Sequence, residues 1–415
     1  MEHELRKRGT SRVHRVVVTG CGVVSPIGNT AAAYWEALAR GASGLGAPTL
    51  APADQLAQKV VAEVKGFDPH AHFDDRQLAF MDRVAQFAVV AAREAIAQSG
   101  LAFDGGLADR TATIVGTAVG GQTTQDENYQ RLYRDGARRL PPFAIPRLMV
   151  NAATSQISMH CGLKGPAFTV ASACASSTHA VGLAFQMVRS GAVACAVTGG
   201  AEASIAFGPL KVWEAMRIMA PDACRPFSKE RKGMVLGEGA GILVLETLEE
   251  AKRRGAGILG EIAGFGMSAD AKDITNPDEG GMARAIEAAL QDAALAPDAV
   301  QYVNAHGTGT AANDETETCA LKRVFGAHAK KLAISSTKSM IGHSLGGSGA
   351  LELIATLMGM RAGVAPPTIA YLGPDPACDL DCVPNEARPL RIDAALSNSF
   401  AFGGLNAVLA VRRGA

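Results

Sequence analysis

The sequence has little of several features that would indicate particular functions. Only 5% of its 415 residues are aromatic, and 40 Lys and Arg residues balance 40 Asp and Glu residues, so the formal net charge is zero. We therefore expect no general affinity for nucleic acid or membrane surfaces. The glycine-interrupted apolar run from Val16 to Val24 is too short for a membrane span or a signal peptide, and the basic residues before it predict a loose N-terminal tail.

The eight cysteines show no CxxC pair and no regular spacing. Several lie in apolar segments, which is typical of a reduced, cytoplasmic protein without a disulfide framework. Cys378 and Cys382 have no neighbouring His or Cys that would complete a zinc site. The composition therefore predicts a cytoplasmic location and no bound metal.

Apolar strands alternate with helices, and the second half of the chain repeats the order of the first. Strands predicted at 16–24, 113–121, 168–173 and 195–202 have counterparts beginning near residues 259, 300, 332 and 395. Because the strands are almost wholly apolar, we expect buried, largely parallel sheets covered by helices. The sequence predicts one compact, layered α/β body made of two half-copies, residues 15–262 and 263–412.

Cys174 lies where a predicted strand, Phe168 to Ala173, meets a predicted helix, Ser176 to Arg189. The strand is apolar and partly β-branched, which predicts burial, and the helix carries an apolar stripe that ends at Ser190-Gly191. Backbone N–H groups and the helix dipole at such a junction favour a thiolate. Taken alone, Cys174 is better explained as a buried structural cysteine.

Two histidines occupy similar positions in the second half of the chain. His306 follows a predicted strand and opens a glycine-rich turn, and His343 lies near the start of a second small-residue helix. Either histidine alone would be a hydrogen-bonded structural residue. If the halves pack symmetrically, both would converge with Cys174 at the strand ends, where α/β sheets place their sites.

Four separated motifs together resemble the β-ketoacyl-acyl-carrier-protein synthases, in particular the type II condensing enzymes of bacterial fatty acid synthesis. The motifs are Ala-Cys174-Ala-Ser-Ser, His306-Gly-Thr-Gly-Thr, Ser-Ser-Thr-Lys338-Ser-Met-Ile-Gly-His343 and Asn398-Ser-Phe-Ala-Phe-Gly-Gly. The resemblance covers residues 13–412, and the segment 211–228 is also similar to nodulation-type synthases that make specialised acyl chains. It implies a thiolase-like, five-layered αβαβα fold with two pseudo-symmetric halves, usually assembled as a dimer.

The resemblance also implies a decarboxylative condensation. Cys174 would accept an acyl group from a carrier thioester, and its N–H together with that of Phe402 would form the oxyanion hole. His306 and His343 would donate hydrogen bonds to the thioester carbonyl of malonyl-carrier protein as CO2 leaves. The carbanion would attack acyl-Cys174 and give a 3-oxoacyl-carrier product, for fatty acid or for specialised polyene or polyketide synthesis.

Further residues match supporting positions of the family. Lys338 and Glu352 would hold the histidines, although a buried ion pair can also serve structure alone. Asp314 and Glu317 match acidic positions of the same network, but three residues apart on a helix they would otherwise be an ordinary solvated face. Thr308 and Thr310 match threonines that contact pantetheine. The family needs no metal or organic cofactor, because the phosphopantetheine belongs to the partner, an acyl carrier protein.

The remaining expectations concern docking and chain length. Arg217 and Arg76 match positions that dock the acidic carrier, although Ala79-Phe80 replaces basic residues beside Arg76 and Lys272-Asp273 replaces a Tyr-His pair at the entrance. Val119 matches the residue that faces the acyl chain at the depth of the pocket. Phe402 lies on a loop that uncovers the acyl channel, and this chain has Ala401 and Leu405 where relatives commonly have glycine and threonine.

Two other readings of the same residues are possible. A non-catalytic chain-length partner subunit of a type II polyketide synthase shares the fold but lacks the cysteine. A thiolase would use a second cysteine as base near the C-terminus, and no cysteine follows Cys382. The sequence leaves open whether the protein forms a homodimer or a heterodimer with a chain-length partner.

Overall fold

The computed structural model describes residues 13–414, so most of the predicted N-terminal tail lies outside the described part of the chain. The strands are β1 (Val16–Val24), β2 (Thr111–Gly116), β3 (Ala167–Val170), β4 (Cys195–Glu202), β5 (Gly239–Thr247), β6 (Gly260–Ala269), β7 (Tyr302–Asn304), β8 (Ala333–Ser335), β9 (Val364–Ala365), β10 (Arg388–Pro389), β11 (Ala394–Ala401) and β12 (Leu405–Arg412). The helices are α1 (Ala31–Ala39), α2 (Asp75–Leu78), α3 (Arg83–Ser99), α4 (Gly105–Asp109), α5 (Gln122–Tyr129), α6 (Ala144–Leu148), α7 (Ala152–Cys161), α8 (Ser176–Arg189), α9 (Phe207–Ala215), α10 (Leu248–Arg253), α11 (Glu279–Asp292), α12 (Ala311–Phe325), α13 (Lys338–Ile341) and α14 (Ser348–Ala362).

The order of the strands shows the internal repeat directly. The main sheet runs β3-β2-β4-β5-β1-β6-β12-β11-β7-β8, so each half has the same order counted outward from the β1–β6 seam. Only Val16–Val18 of β1 pair with Gly260–Ile262 of β6, and these three residue pairs join the half-sheets. The division predicted at residues 262 and 263 falls inside β6, whereas the strand order assigns all of β6 to the second half.

Helices and half-sheets form the five layers that the sequence predicts. Helices α3 and α7 pack on the first half-sheet, and α11, with α12 beside it, packs on the second. Helices α8 and α14 contact each other and strands of both half-sheets, so they form the central layer. Helix α14 is buried on almost every side, and a Cβ on its Gly349 would lie 2.0 Å from Thr178 Oγ1. Glycine at this position therefore lets the two central helices touch.

Two expectations about the sheet are wrong. The sheet is mixed: β2–β3, β2–β4, β7–β8 and β7–β11 are parallel, but β5 and β12 enter each half antiparallel to both neighbours. The segment leading to Cys174 is not a buried strand either, because β3 is the outermost strand of the first half and Phe168 is 40% exposed. An apolar run indicates a strand but not its place in the sheet, which pairing with distant strands decides.

The local predictions hold more closely. Strand β1 and helix α8 span the predicted residues. His343 does not start a helix directly, because a short turn at Leu345–Gly347 separates it from α14. Among the described residues, no helix combines the length and the apolar content that crossing a membrane requires.

Candidate active site

A cavity of about 290 Å³ opens between the two halves, and six of the predicted site residues line it. They are Cys174, His306, His343, Phe402, Thr308 and Thr310. Cys174 Sγ and one ring nitrogen of each histidine all lie within 4.8 Å of one another. The nucleophile comes from the first half and both imidazoles from the second, as the repeat predicts.

The backbone before Cys174 makes a sharp turn between β3 and α8. Ala173 has a φ of +48°, which is costly for a residue with a Cβ. Ser176 stabilises the turn, because its hydroxyl donates to the Ala173 carbonyl at 2.6 Å and accepts the Ser172 N–H at 2.9 Å. The turn presents Cys174 to the cavity with only 8% of its surface exposed.

The expectation that this junction favours a thiolate is not met. Burial raises the pKa of the Cys174 thiol to about 12, and the Lys338 charge and a hydrogen bond from the Phe402 N–H oppose this rise only in part. The resting cysteine is therefore a thiol, and it needs a base close by before it can attack. The same Phe402 N–H, which the resemblance assigns to the oxyanion hole, therefore contacts the Cys174 sulfur.

Lys338 determines which nitrogen of His306 carries the proton. The Lys338 ammonium lies 3.3 Å from His306 Nδ1 and donates to the His306 carbonyl at 2.6 Å. It also forms an ion pair with Glu352, and both side chains are fully buried. Because an ammonium group can only donate, His306 Nδ1 accepts and Nε2 carries the hydrogen. His306 therefore meets the cavity as a hydrogen-bond donor.

His343 has a different partner. Its Nδ1 lies 2.8 Å from the Ser348 hydroxyl, and its Nε2 is buried with no hydrogen-bond partner among the described residues. The two imidazole centroids are 5.3 Å apart, with the rings nearly perpendicular. Burial, aided by the Lys338 charge, lowers the pKa of both histidines well below the ordinary value, so both rings are neutral at physiological pH.

Asp314 and Glu317 are not a solvated helix face, because both side chains are completely buried. Glu317 accepts the N–H groups of His306 and Gly307 at 2.9 and 2.8 Å. Asp314 accepts the N–H groups of Phe227 and Gly309 at 2.8 and 3.2 Å. The two carboxylates therefore hold the turn that carries His306, Thr308 and Thr310. Burial raises the pKa of Asp314 to about 6.

Three predicted site residues belong neither to the cavity wall nor to the buried network behind it. The side chains of Arg76 and Arg217 are exposed, and neither has an ion-pair partner in the part of the chain that the structure describes. Arg217 directly follows Met216, which lines the cavity mouth. Val119 does not line the cavity and is 38% exposed in the single chain, because the turn after β2 emerges beside the outermost strand β3.

Sequence reasoning missed much of the cavity wall. One wall is apolar and is formed by Trp213, Met216, Ile218 and Met234, and the Trp213 ring stacks on Phe402 at 6.4 Å. The loop after β6 forms the opposite side, and its Ile274 carbonyl accepts the Gly403 N–H at 2.8 Å. The apolar spacing of residues 213–218 was the only available signal, since contact with Phe402 depends on the tertiary fold.

A buried cysteine beside two neutral imidazoles, in a cavity between two pseudo-symmetric halves, defines a condensing enzyme of the thiolase-like fold. Residues 13–251 match the family model of the β-ketoacyl synthase N-terminal domain, and residues 259–371 match that of the C-terminal domain. The chain belongs to the β-ketoacyl synthase family.

Similar proteins cover nearly the whole chain. Nodulation protein E of Rhizobium sp. (strain N33) is 48% identical over 399 residues, which is 96% of this chain and 99% of that protein. The 3-oxoacyl-[acyl-carrier-protein] synthase 2 of Synechocystis sp. is 44% identical over 407 residues, 96% of this chain and 98% of that protein. Among solved structures, the ishigamide ketosynthase/chain length factor superimposes with a TM-score of 0.92 at 37% identity, covering 97% of this chain and 100% of that one. A type II PKS ketosynthase solved with its acyl-carrier protein gives 0.88 at 31% identity, with the same coverage.

Proposed function

We propose that the protein extends an acyl group held on Cys174 by decarboxylative Claisen condensation with malonyl-acyl-carrier protein, which releases CO2 and 3-oxoacyl-acyl-carrier protein. The observation that carries this proposal is the approach of Cys174 Sγ and the two imidazoles to within 4.8 Å. Relatives named 3-oxoacyl-[acyl-carrier-protein] synthase 2 support it.

In the first half-reaction, Cys174 takes the acyl group from its carrier thioester. Because the pKa of the thiol is raised, a neutral imidazole accepts its proton as Sγ attacks the carbonyl carbon. His343 fits this task, since its Nε2 is unpartnered in the described cavity. The N–H groups of Cys174 and Phe402 stabilise the oxyanion, and one such donor typically contributes roughly 3–4 kcal/mol. The carrier leaves as a thiol with the proton that His343 held.

In the second half-reaction, both imidazoles act on one oxygen. In this step His343 takes the tautomer with its hydrogen on Nε2, and its Nδ1 accepts from the Ser348 hydroxyl. His306 and His343 then donate Nε2–H hydrogen bonds to the malonyl thioester carbonyl, and the charge left by departing CO2 is stabilised as an enolate. Its carbon attacks the acyl-Cys174 carbonyl, the C–S bond to Cys174 breaks, and the sulfur leaves as a thiolate that takes a proton from solvent water. Dividing the reaction into two acyl transfers avoids one difficult step.

The substrates arrive on a phosphopantetheine arm of the carrier, and we propose no metal or organic cofactor of the enzyme itself. Thr308 and Thr310 suit contact with the arm, because they line the cavity and their hydroxyls are 2.8 Å apart. The exposed, unpaired Arg76 and Arg217 suit an acidic carrier surface. A related ketosynthase solved with its acyl-carrier protein supports such docking.

We further propose that the β3 edge meets a second, similar chain. Strand β3 leaves one row of backbone groups unpaired, and apolar residues beside it are exposed: Phe168 by 40%, Met159 by 66% and Val150 by 45%. Open apolar edges of this kind are usually covered. The proposed occupant is a second copy in a cytoplasmic homodimer, and a chain-length partner is the alternative, given the ketosynthase/chain length factor relative.

The experiment that tests the reaction incubates the protein with acyl- and malonyl-carrier proteins and follows the products by mass spectrometry. We expect one acyl group on the peptide containing Cys174, release of CO2 and a product two carbons longer. A protein that binds both carriers without either reaction would instead be the non-catalytic chain-length subunit. The presence of Cys174 beside both histidines favours the enzyme.

A further inference from the structure

Glu202 is a buried carboxylate that the proposed reaction does not use. It is the last residue of β4, its side chain is fully buried, and it has no basic partner among residues 13–414. It accepts hydrogen bonds from Thr117 Oγ1 at 3.0 Å, the Ala118 N–H at 2.6 Å and the Gly346 N–H at 3.2 Å. Burial raises its pKa to about 7. Burying a carboxylate without a cation beside it costs free energy, so we expect Glu202 and its hydrogen bonds to have a role in the protein.

The donors belong to two turns from different halves of the chain. Thr117 and Ala118 begin the turn after β2 that carries Val119, and Gly346 lies in the turn that starts two residues after His343. The two turns are in close contact, since a Cβ on Gly346 would lie 2.2 Å from the Ala118 nitrogen. Leu345 is held at a φ of +42°, which a free turn would not adopt.

We propose that Glu202 is a positioning residue that fixes His343 by clamping the Leu345–Gly347 turn against the turn after β2. The backbone of His343 is already anchored on its other side, where its N–H donates to the Val235 carbonyl at 2.7 Å. Glu202 supplies the second anchor, and Ser348, which contacts His343 Nδ1, follows the clamped turn directly. The proposal rests on the proposed function, because His343 matters through its hydrogen bond to the substrate oxygen.

The test uses Glu202→Gln, with Glu246→Gln as the matched control. Glu246 is also buried and also lies on the sheet, but it pairs with Cys195 at the opposite end of β4 and bonds Thr19 and Arg254. The backbone N–H groups of Ala118, Val119 and Gly346 all bond the carboxylate, whereas a Gln oxygen has two lone pairs and its NH2 group can only donate. Glu202→Gln therefore leaves at least one backbone donor unpaired, and the clamp loosens. Two rates are measured by rapid quench and mass spectrometry: acylation of Cys174, and CO2 release from malonyl-carrier protein.

We expect Glu202→Gln to slow CO2 release and acylation of Cys174 each by about tenfold, because His343 acts in both half-reactions and small displacements of a catalytic group are costly. Glu246→Gln should leave both rates within about twofold. Unchanged rates in Glu202→Gln, or losses of the same size in Glu246→Gln, would overturn the proposal. If Glu202→Gln does not fold, Thr117→Val removes a single donor and decides the question, with a smaller loss in the same two rates expected.

A second measurement does not depend on activity. In protein labelled with ¹⁵N-histidine, the His343 ring resonances should shift in Glu202→Gln and not in Glu246→Gln. If the wild-type protein releases no CO2 while the His343 resonances still shift, the proposed function fails and the clamp stands. If the wild-type protein releases CO2 and Glu202→Gln leaves the His343 resonances unchanged, the proposed function stands and only the positioning role of Glu202 is wrong.

Discussion

At the scale of single residues, Cys174 is a thiol that depends on its neighbours. Its pKa is raised to about 12 by burial, so the sulfur cannot be the attacking thiolate without a base. We expect Cys174→Ala to accept no acyl group from acyl-carrier protein. Cys174→Gln should lose condensation but keep decarboxylation of malonyl-carrier protein, because both imidazoles remain. Intact-protein mass spectrometry and CO2 release measure the two activities, and acyl-enzyme in Cys174→Ala would refute the assignment.

The two histidines should behave as one unit. We expect His306→Ala and His343→Ala each to slow CO2 release by about 100-fold, as the loss of one oxyanion donor commonly does. The double variant should lose little more than the worse single variant, since both rings serve one oxygen. Rates of all four proteins with malonyl-carrier protein test this. A double loss equal to the product of the single losses would mean that the rings act on different groups.

Residues also show where sequence reasoning reaches its limit. Motif spacing was enough to bring Cys174, His306 and His343 together, because each follows a strand of a repeated unit. It could not show that Asp314 and Glu317 are buried, because two acidic residues three apart on a helix give the same sequence pattern whether their face is buried or solvated. The direction of the Cys174 pKa was missed for the same reason: desolvation is a property of the packed protein.

At the scale of elements, the loop from β11 to β12 is the part of the site that we expect to move. Ala401 is the last residue of β11, pairs with Leu405 and is not held at positive φ in this structure. If opening of the Phe402 loop passes through positive φ, alanine costs about 1 kcal/mol more than glycine. We expect Ala401→Gly to speed acylation of Cys174 by long acyl chains more than by short ones. Acylation rates from timed quenching, with acyl-carriers of increasing chain length, measure this. Equal effects at all chain lengths would exclude a gating role.

The turn after β2 connects the preferred length of the acyl chain with the pairing of two polypeptide chains. Val119 is exposed in the single chain, so it can face an acyl chain only if a second chain covers the β3 edge. We expect Val119→Phe to shorten the preferred acyl chain without slowing extension of the shortest primers. Product profiles with mixed acyl-carriers test this. An unchanged profile would remove Val119 from the pocket and leave the Cys174 chemistry intact.

Elements differ in how well the sequence predicts them. Strand β1 and helix α8 were predictable to the residue, because their apolar patterns and local end signals define them. The buried position predicted for β3 and the mostly parallel sheet were wrong. Those properties arise when β5 and β12 enter antiparallel from distant parts of the chain, which no local pattern encodes.

At the scale of the whole molecule, buried acids make stability depend on pH. The pKa of Asp314 is about 6 in the folded protein and lower when unfolded, so the folded state binds more protons between these values. Its contribution therefore becomes less favourable as pH rises through this window. Relative to wild type, Asp314→Asn should gain about 1 kcal/mol in the free energy of unfolding between about pH 5 and about pH 8. Denaturant titrations at both pH values measure the gain, and a constant difference would contradict it.

The division of the site between the repeats has a consequence for damaged protein. Cys174 stands before the central helix α8 and His343 before the central helix α14, and each of these helices packs on strands of both halves. An incompletely synthesised, cleaved or half-folded chain therefore catalyses neither half-reaction. It cannot form acyl-Cys174 without an imidazole base, and it cannot decarboxylate malonyl groups without a complete cavity. Fragments of the protein therefore consume no acyl- or malonyl-carrier protein.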